Sequence, residues 1–442
     1  MSMSPFDSGL YRELLHDDEI GDLFSDAAVI TSMMHVEGAL AKAQGKLGVI
    51  PTASARAIDR AMQELQVDPA SLATGTRVAG IPVPALVDTL RDAMQAPGHA
   101  HYLHWGATSQ DIMDTGLVLR LRGVCDIVEQ RLTHLLRALA RQAERHAELP
   151  LAARTRSQIA TPTSFGAVVA AWGGPLLFHL EVLAQVRPRL LRVSLAGASG
   201  NSAALGDQVE ALRAELAAEL ELGDSALAWH SDRSALVEFA ALLVRIGGSL
   251  AKLGEDCIVG CRTEIAELKL GKGGGSSTMP QKQNPVVAET IVSLFRVGAA
   301  MNTLIQESMV HREQRDGVAW ALEGHALPTI CMASARALAQ STSLIKELRP
   351  DPDAMLANLL GDQQLVFAEA ISFELAKTMP RPQAQAEVKR LCTEVRGGAG
   401  SLVELVERQY PDVDWSAVTT PAAQLGDAPR QAARFVARVS KL

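Results

Sequence analysis

An all-α protein of three mainly helical domains is what this 442-residue sequence predicts, and three observations carry that expectation. Aromatics make up 4 % of the chain while Ala and Leu dominate a 48 % hydrophobic content, a composition suited to helix-on-helix packing by small and aliphatic side chains. Leu236, Phe239, Leu243, Ile246, Leu250, Leu253 and Cys257 step 3-4-3-4-3-4, a heptad seam held over three repeats. No block alternates with the period of two that a half-buried sheet requires. The length also exceeds the roughly 250–300 residues at which one hydrophobic core stops growing. The domain limits expected are 1–100, 101–348 and 349–442, the last two set by Pro350 and Pro352.

Taken in order, helical periodicity covers 19–47 through Ile30, Met33, Met34, Val36 and Leu40. Gly48 and Pro51 punctuate, and a second helix is expected over 52–65. Pro82, Pro84, Pro97 and Gly98 then read as a loop region. The central part holds long helices: 111–148 without a proline, one from near Pro162 to about Arg187 with a kink at Gly173-Gly174-Pro175, the heptad helix, 286–309 and 328–348. Several long apolar helices suggest a bundle whose extra faces are covered by other subunits. Shorter helices complete the chain.

A net charge of −8 and the lack of a basic tract with interleaved aromatics disfavour a nucleic-acid role. Cys125, Cys257, Cys261, Cys331 and Cys392 are odd in number and unclustered, as expected of reduced thiols in a cytoplasmic protein. No signal-peptide pattern opens the chain. The apolar stretch 165–178 reads as too short to span a bilayer, so no membrane partner is expected.

Chemistry concentrates in four segments. Gly271 to Pro285 places four glycines, two serines, Thr278, Pro280, Lys282 and Asn284 together. Glycine costs about 1 kcal/mol and proline about 3 kcal/mol in a helix interior, so the segment is a loop, rich in donors suited to gripping an anion. His104-Trp105-Gly106-Ala107-Thr108-Ser109-Gln110-Asp111 is an N-cap cluster ahead of a long helix, whose N-terminus is a seat for a carboxylate. Arg154-Thr155-Arg156-Ser157-Gln158 and His311 to Gly324, with Arg315, Trp320 and Glu323, complete the set.

Gly275-Ser276-Ser277-Thr278-Met279-Pro280-Gln281-Lys282-Gln283-Asn284-Pro285 resembles the Gly-Ser-Ser-x-Met-Pro-x-Lys-x-Asn-Pro signature of the fumarase/aspartase superfamily. The resemblance implies three helical domains, a homotetramer with shared active sites, and no cofactor or metal. It implies that Ser276 is the base removing a proton alpha to a carboxylate, with Lys282 and Asn284 binding that carboxylate. The segment at 104–111 is similar to the His-x-Gly-x-Thr-Ser-x-Asp motif, in which His104 contacts substrate and Thr108 and Ser109 hold a carboxylate. Thr155 and Gln158 match a second block, but Arg156 stands where relatives carry a histidine. Arginine cannot shuttle a proton near neutrality, yet it can hold a carboxylate bidentately. An amine leaving group needs a proton donor and a carboxylate does not. Gly197 to Asn201, with Ser199 and Asn201, Trp229-His230 with Arg233, and Arg315 with Trp320 resemble the 3-carboxy-cis,cis-muconate cycloisomerase branch. A small polycarboxylate is therefore the expected substrate. A C–N or C–O lyase of the adenylosuccinate type, or a non-catalytic structural protein on this scaffold, are the competing expectations.

Overall fold

The computed structural model describes residues 4–271, 274–275 and 278–442. Among the described residues six helices exceed twenty residues: α1 (Asp26–Lys46), α2 (Ser109–Arg145), α3 (Phe165–Leu190), α4 (Ser234–Gly260), α5 (Val286–Glu307) and α6 (Gly317–Glu347). Strand is confined to short antiparallel pairs, the longest being β1 (Pro150–Thr155) with β2 (Gln158–Ser164). The chain is all-α. It divides into two compact units, Met1–Arg131 with His179–Gly247 and Leu294–Ala337, and Leu132–Phe178 with Gly248–Ser293 and Leu338–Leu442. The divisions fall within α2, α3, α4, α5 and α6.

The heptad seam of α4 is wholly inside, with every residue from Leu236 to Cys257 at a 3-4 step buried. In the first unit α1 packs with Thr52–Glu64, Val83–Met94 and Val209–Leu220 around Met33, Leu40, Ile58, Leu86, Leu90 and Leu216. Burying each such side chain contributes about 1.5–3 kcal/mol. In the second unit Phe367, Ile371, Leu391, Leu402, Val406 and Trp415 gather the C-terminal helices, and Ala152 of β1 joins them.

Several boundaries differ from expectation. The helix expected over 19–47 is two, because Ser25 turns extended (ψ 151°) and its hydroxyl accepts from the Ala28 N–H at 3.2 Å. The expected loop at 82–98 contains Val83–Met94, with Pro84 in its first turn, where the missing N–H costs nothing. Pro162 lies in β2 rather than opening α3, and α3 stays helical through Gly173-Gly174-Pro175. Gly173 sits beneath Phe435, whose ring would lie 2.1 Å from an added Cβ. Pro328 is inside α6 rather than at its start. The short reading of 165–178 is also corrected: α3 at 26 residues and α4 at 27 are long and apolar enough to cross a membrane by length and composition. Of their most apolar windows, 50 % and 56 % are buried within the chain.

Candidate functional site

The start of α2 is built by one buried carboxylate. Asp111 accepts from the Thr108 N–H at 3.0 Å, reaching back as the N3 acid of a capping box does. It also accepts from the N–H groups of Ala196 (2.9 Å) and Gly197 (3.0 Å), and lies 2.7 Å from His230 Nε2. Thr115 adds a reciprocal pair with Ser194, its hydroxyl accepting at 2.9 Å and donating at 3.1 Å. Gly106 approaches so closely that a Cβ would meet the Ala204 carbonyl at 2.9 Å, and its φ is 74°. Only glycine fits there.

His104 precedes that glycine with φ 65°. Its Nδ1 lies 2.5 Å from Oε1 of Glu37, which is buried in α1. Burial pulls the His104 imidazole down, but the Glu37 carboxylate more than offsets this and its value is raised. Thr108 and Ser109 are half-buried at the helix start. Ser199 and Asn201 are exposed in the loop beyond Gly197, where Asn201 Oδ1 accepts from the Ala203 N–H at 3.3 Å.

Arg233 is differently occupied from the expectation that it binds substrate. Its guanidinium donates to both oxygens of Asp114 (2.8 and 2.9 Å) and to both of Glu323 (2.6 Å each), with no exposed side-chain surface. Burial penalises its charge, but the two carboxylates outweigh that and hold it protonated. Burial pushes Glu323 up against the pull of Arg233. Every nitrogen is engaged by a carboxylate and the side chain is fully buried, so Arg233 braces the site from within. Arg315 donates to Gln110 Oε1 at 2.7 Å and to the Ala198 carbonyl at 3.2 Å. Trp320, half-buried, lines a cleft of about 610 Å³ with Asp114, Arg120, Arg315 and Glu323. Arg120 in this cleft is pulled down to about 10 by burial.

The second unit holds the other predicted residues. Thr155 pairs with Gln158 across β1–β2, leaving Arg156 and Ser157 as a two-residue turn with φ of 51° and 65°, the geometry of a type I′ turn. All four are exposed. At its base Arg154 grips Glu267 at 2.9 and 2.6 Å. Asn284, half-buried, pairs with Gly274 in a two-residue ladder, and Lys282 is exposed. Ser276, with its neighbour Ser277, lies outside the described residues. Among the described residues no three His, Cys, Asp or Glu side chains gather as ligands for a metal ion.

Glu37 and Arg120 did not stand out in the sequence. Glu37 had a signal: a lone acid inside the buried run Met33, Met34, Val36, Ala39 and Leu40.

A lyase family model matches residues 15–297. The 3-carboxy-cis,cis-muconate cycloisomerase of Pseudomonas aeruginosa is 40 % identical over 375 residues, 84 % of this chain and 82 % of that protein. Trans-aconitate decarboxylase 1 of Mycosarcoma maydis is 31 % identical over 87 % of this chain and 78 % of its own length. The crystal structure of the 3-carboxy-cis,cis-muconate lactonizing enzyme from Pseudomonas putida superposes with a TM-score of 0.92 at 33 % identity, covering 98 % of this chain and 99 % of that one.

Proposed function

This chain belongs to the lyase family of the fumarase/aspartase superfamily, and from that premise we propose that it is a cofactor-independent cycloisomerase of 3-carboxy-cis,cis-muconate. The likeness to cycloisomerases over more than four-fifths of both chains carries this reading. In the lactone-opening direction Ser276 removes the proton alpha to a carboxylate. Lys282, Asn284 and nearby N–H groups stabilise the aci-carboxylate, and the ring carboxylate leaves. In the lactonising direction the same serine returns the proton after intramolecular carboxylate attack. A serine base needs strong positive potential, which Lys282 supplies.

His104, Thr108 and Ser109 bind one carboxylate; Thr155, Arg156 and Gln158 bind another. Ser199 and Asn201 border the substrate in the loop beyond Gly197, while Arg315 and Trp320 shape the cleft wall. The proposal includes a homotetramer of three-domain subunits with shared active sites, working in the cytoplasm. Half of the most apolar window of α3 is not buried by its own chain, which supports a covering subunit there.

A panel of 3-carboxymuconate, adenylosuccinate, argininosuccinate, trans-aconitate and fumarate, followed by ultraviolet absorbance and carbon dioxide release, tests the reading. Lactonisation of 3-carboxymuconate is expected. Turnover of adenylosuccinate, or carbon dioxide from trans-aconitate, without turnover of carboxymuconate overturns it.

A further inference from the structure

Glu37 is 1 % exposed, and its Oε2 has no hydrogen-bond partner among the described residues. A carboxylate taken out of water costs several kcal/mol unless it is paired. Among the described residues the one side chain it bonds is His104, at 2.5 Å. His104 in turn adopts φ 65°, a region that disfavours any residue with a Cβ. Two unfavourable features, a half-satisfied buried acid and a left-handed histidine, thus meet in one contact 67 residues apart in sequence.

The contact has a chemical consequence. An ionised carboxylate only accepts, so Nδ1 must carry a proton whenever Glu37 is ionised. That leaves Nε2 as the free end of the ring. Nε2 bonds no other described residue, and 17 % of the His104 side chain remains exposed. A pair serving the core alone would close both ends of the imidazole.

We propose that Glu37 is a positioning residue: it turns Nδ1–H of His104 inward and presents Nε2–H as a charged donor to a substrate carboxylate. The proposal rests on the reading that His104 contacts substrate. Three charged groups on separate elements face the imidazole. Glu37 of α1 and Asp111 of α2 favour its cation, and Arg91 of Val83–Met94 opposes it more weakly. Arg91 also donates to the Leu103 carbonyl at 3.0 Å, beside the His104 backbone. Removing the Glu37 charge therefore takes away the main support of the imidazolium and leaves the ring in place.

The test is a nitrogen-15 titration of the full-length enzyme labelled at histidine, with the His104 signal identified by its loss in His104→Gln. In the wild type, Nδ1 stays protonated throughout and His104 titrates above the ordinary imidazole value of about 6.5. In Glu37→Gln, whose amide oxygen can still accept from Nδ1–H, the midpoint moves to lower pH. The alkaline limb of kcat/KM moves with it, as a roughly tenfold rise in KM above neutrality with kcat little changed. Glu37→Asp falls between. A wild-type His104 titrating at or below the ordinary value overturns the proposal, as does a Glu37→Gln enzyme whose midpoint does not move. Should Glu37→Gln fail to fold, the wild-type titration decides alone. It also decides if the enzyme ignores 3-carboxymuconate, an outcome that would sink only the proposed reaction.

Discussion

The start of α2 and the turn of the β1–β2 hairpin are held in opposite ways. Around α2, Asp111 accepts from three backbone N–H groups and Arg233 fills two carboxylates, nearly all of it buried. At the hairpin, Thr155, Arg156, Ser157 and Gln158 stand exposed, and Arg156 has no ion pair among the described residues. Arg233 and Arg156 carry the same guanidinium. One is occupied by the fold and the other stands exposed. A buried arginine filled by two carboxylates is a brace, whereas one exposed at a strained turn keeps the donors that the proposed carboxylate contact requires.

The comparison is sharpest at its extremes. Ser276→Ala, at the proposed base, should lower kcat by about 10³ or more while leaving the melting temperature unchanged. Ser277→Ala should cost far less. Reversal of that order in steady-state kinetics reassigns the base. If the two groups of residues act across subunits, mixing Ser276→Ala with His104→Ala protein restores part of the activity through hybrid sites. No recovery after verified subunit exchange means one chain supplies both.

Arg233→Met should act on the fold instead. It strands Asp114 and Glu323 in the interior, and breaking such a pair costs about 3–5 kcal/mol. Calorimetry should show a large drop in melting temperature. An unchanged melting temperature with a raised KM would return Arg233 to the substrate. Arg156→His is the counterpart: stability should hold, while loss of a charge-assisted fork, about 1.5–3 kcal/mol, raises KM roughly ten- to hundredfold. Lowering the pH to about 6 should partly rescue it by charging the imidazole. An unchanged KM for the tricarboxylate removes Arg156 from the site, and with it the main argument against an amine leaving group.

The smallest effect is a pH dependence of stability at His104. Its value is raised in the folded protein because the Glu37 carboxylate outweighs burial. The stabilisation is therefore complete below the unfolded value of about 6.5 and disappears as pH rises through the folded value. The melting-temperature gap between wild type and His104→Gln should narrow from pH 6 to pH 9. A gap that widens contradicts the sign of this coupling.

Much of this was legible in the order of residues, for identifiable reasons. The α4 seam was legible because a 3-4 step has one geometric meaning, and the α2 start because short polar residues ahead of an apolar run have few other uses. Pro84 and Pro328 misled in opposite directions: proline ends a helix unless it lies in the first turn or packing carries the helix past it. The hairpin escaped because Arg156-Ser157 lacks the usual Asn or Gly of a type I′ turn. Glu37 escaped because its meaning lies in a partner 67 residues away. Arg233 was legible as a site residue but its two carboxylate partners were not, since a motif names a residue and not its neighbours.

That same turn sets a conflict for anyone who engineers this protein. Each non-glycine residue held left-handed carries about 1–2 kcal/mol of conformational cost, and the turn holds two in succession. Arg156→Asn with Ser157→Gly would relieve much of it. A selection for heat resistance, blind to turnover, would therefore drift toward that pair and discard the proposed carboxylate-binding arginine. Thermal tolerance and catalytic competence would be traded against each other at a single hairpin, so a hardened variant should be assayed at this turn before it is trusted anywhere else.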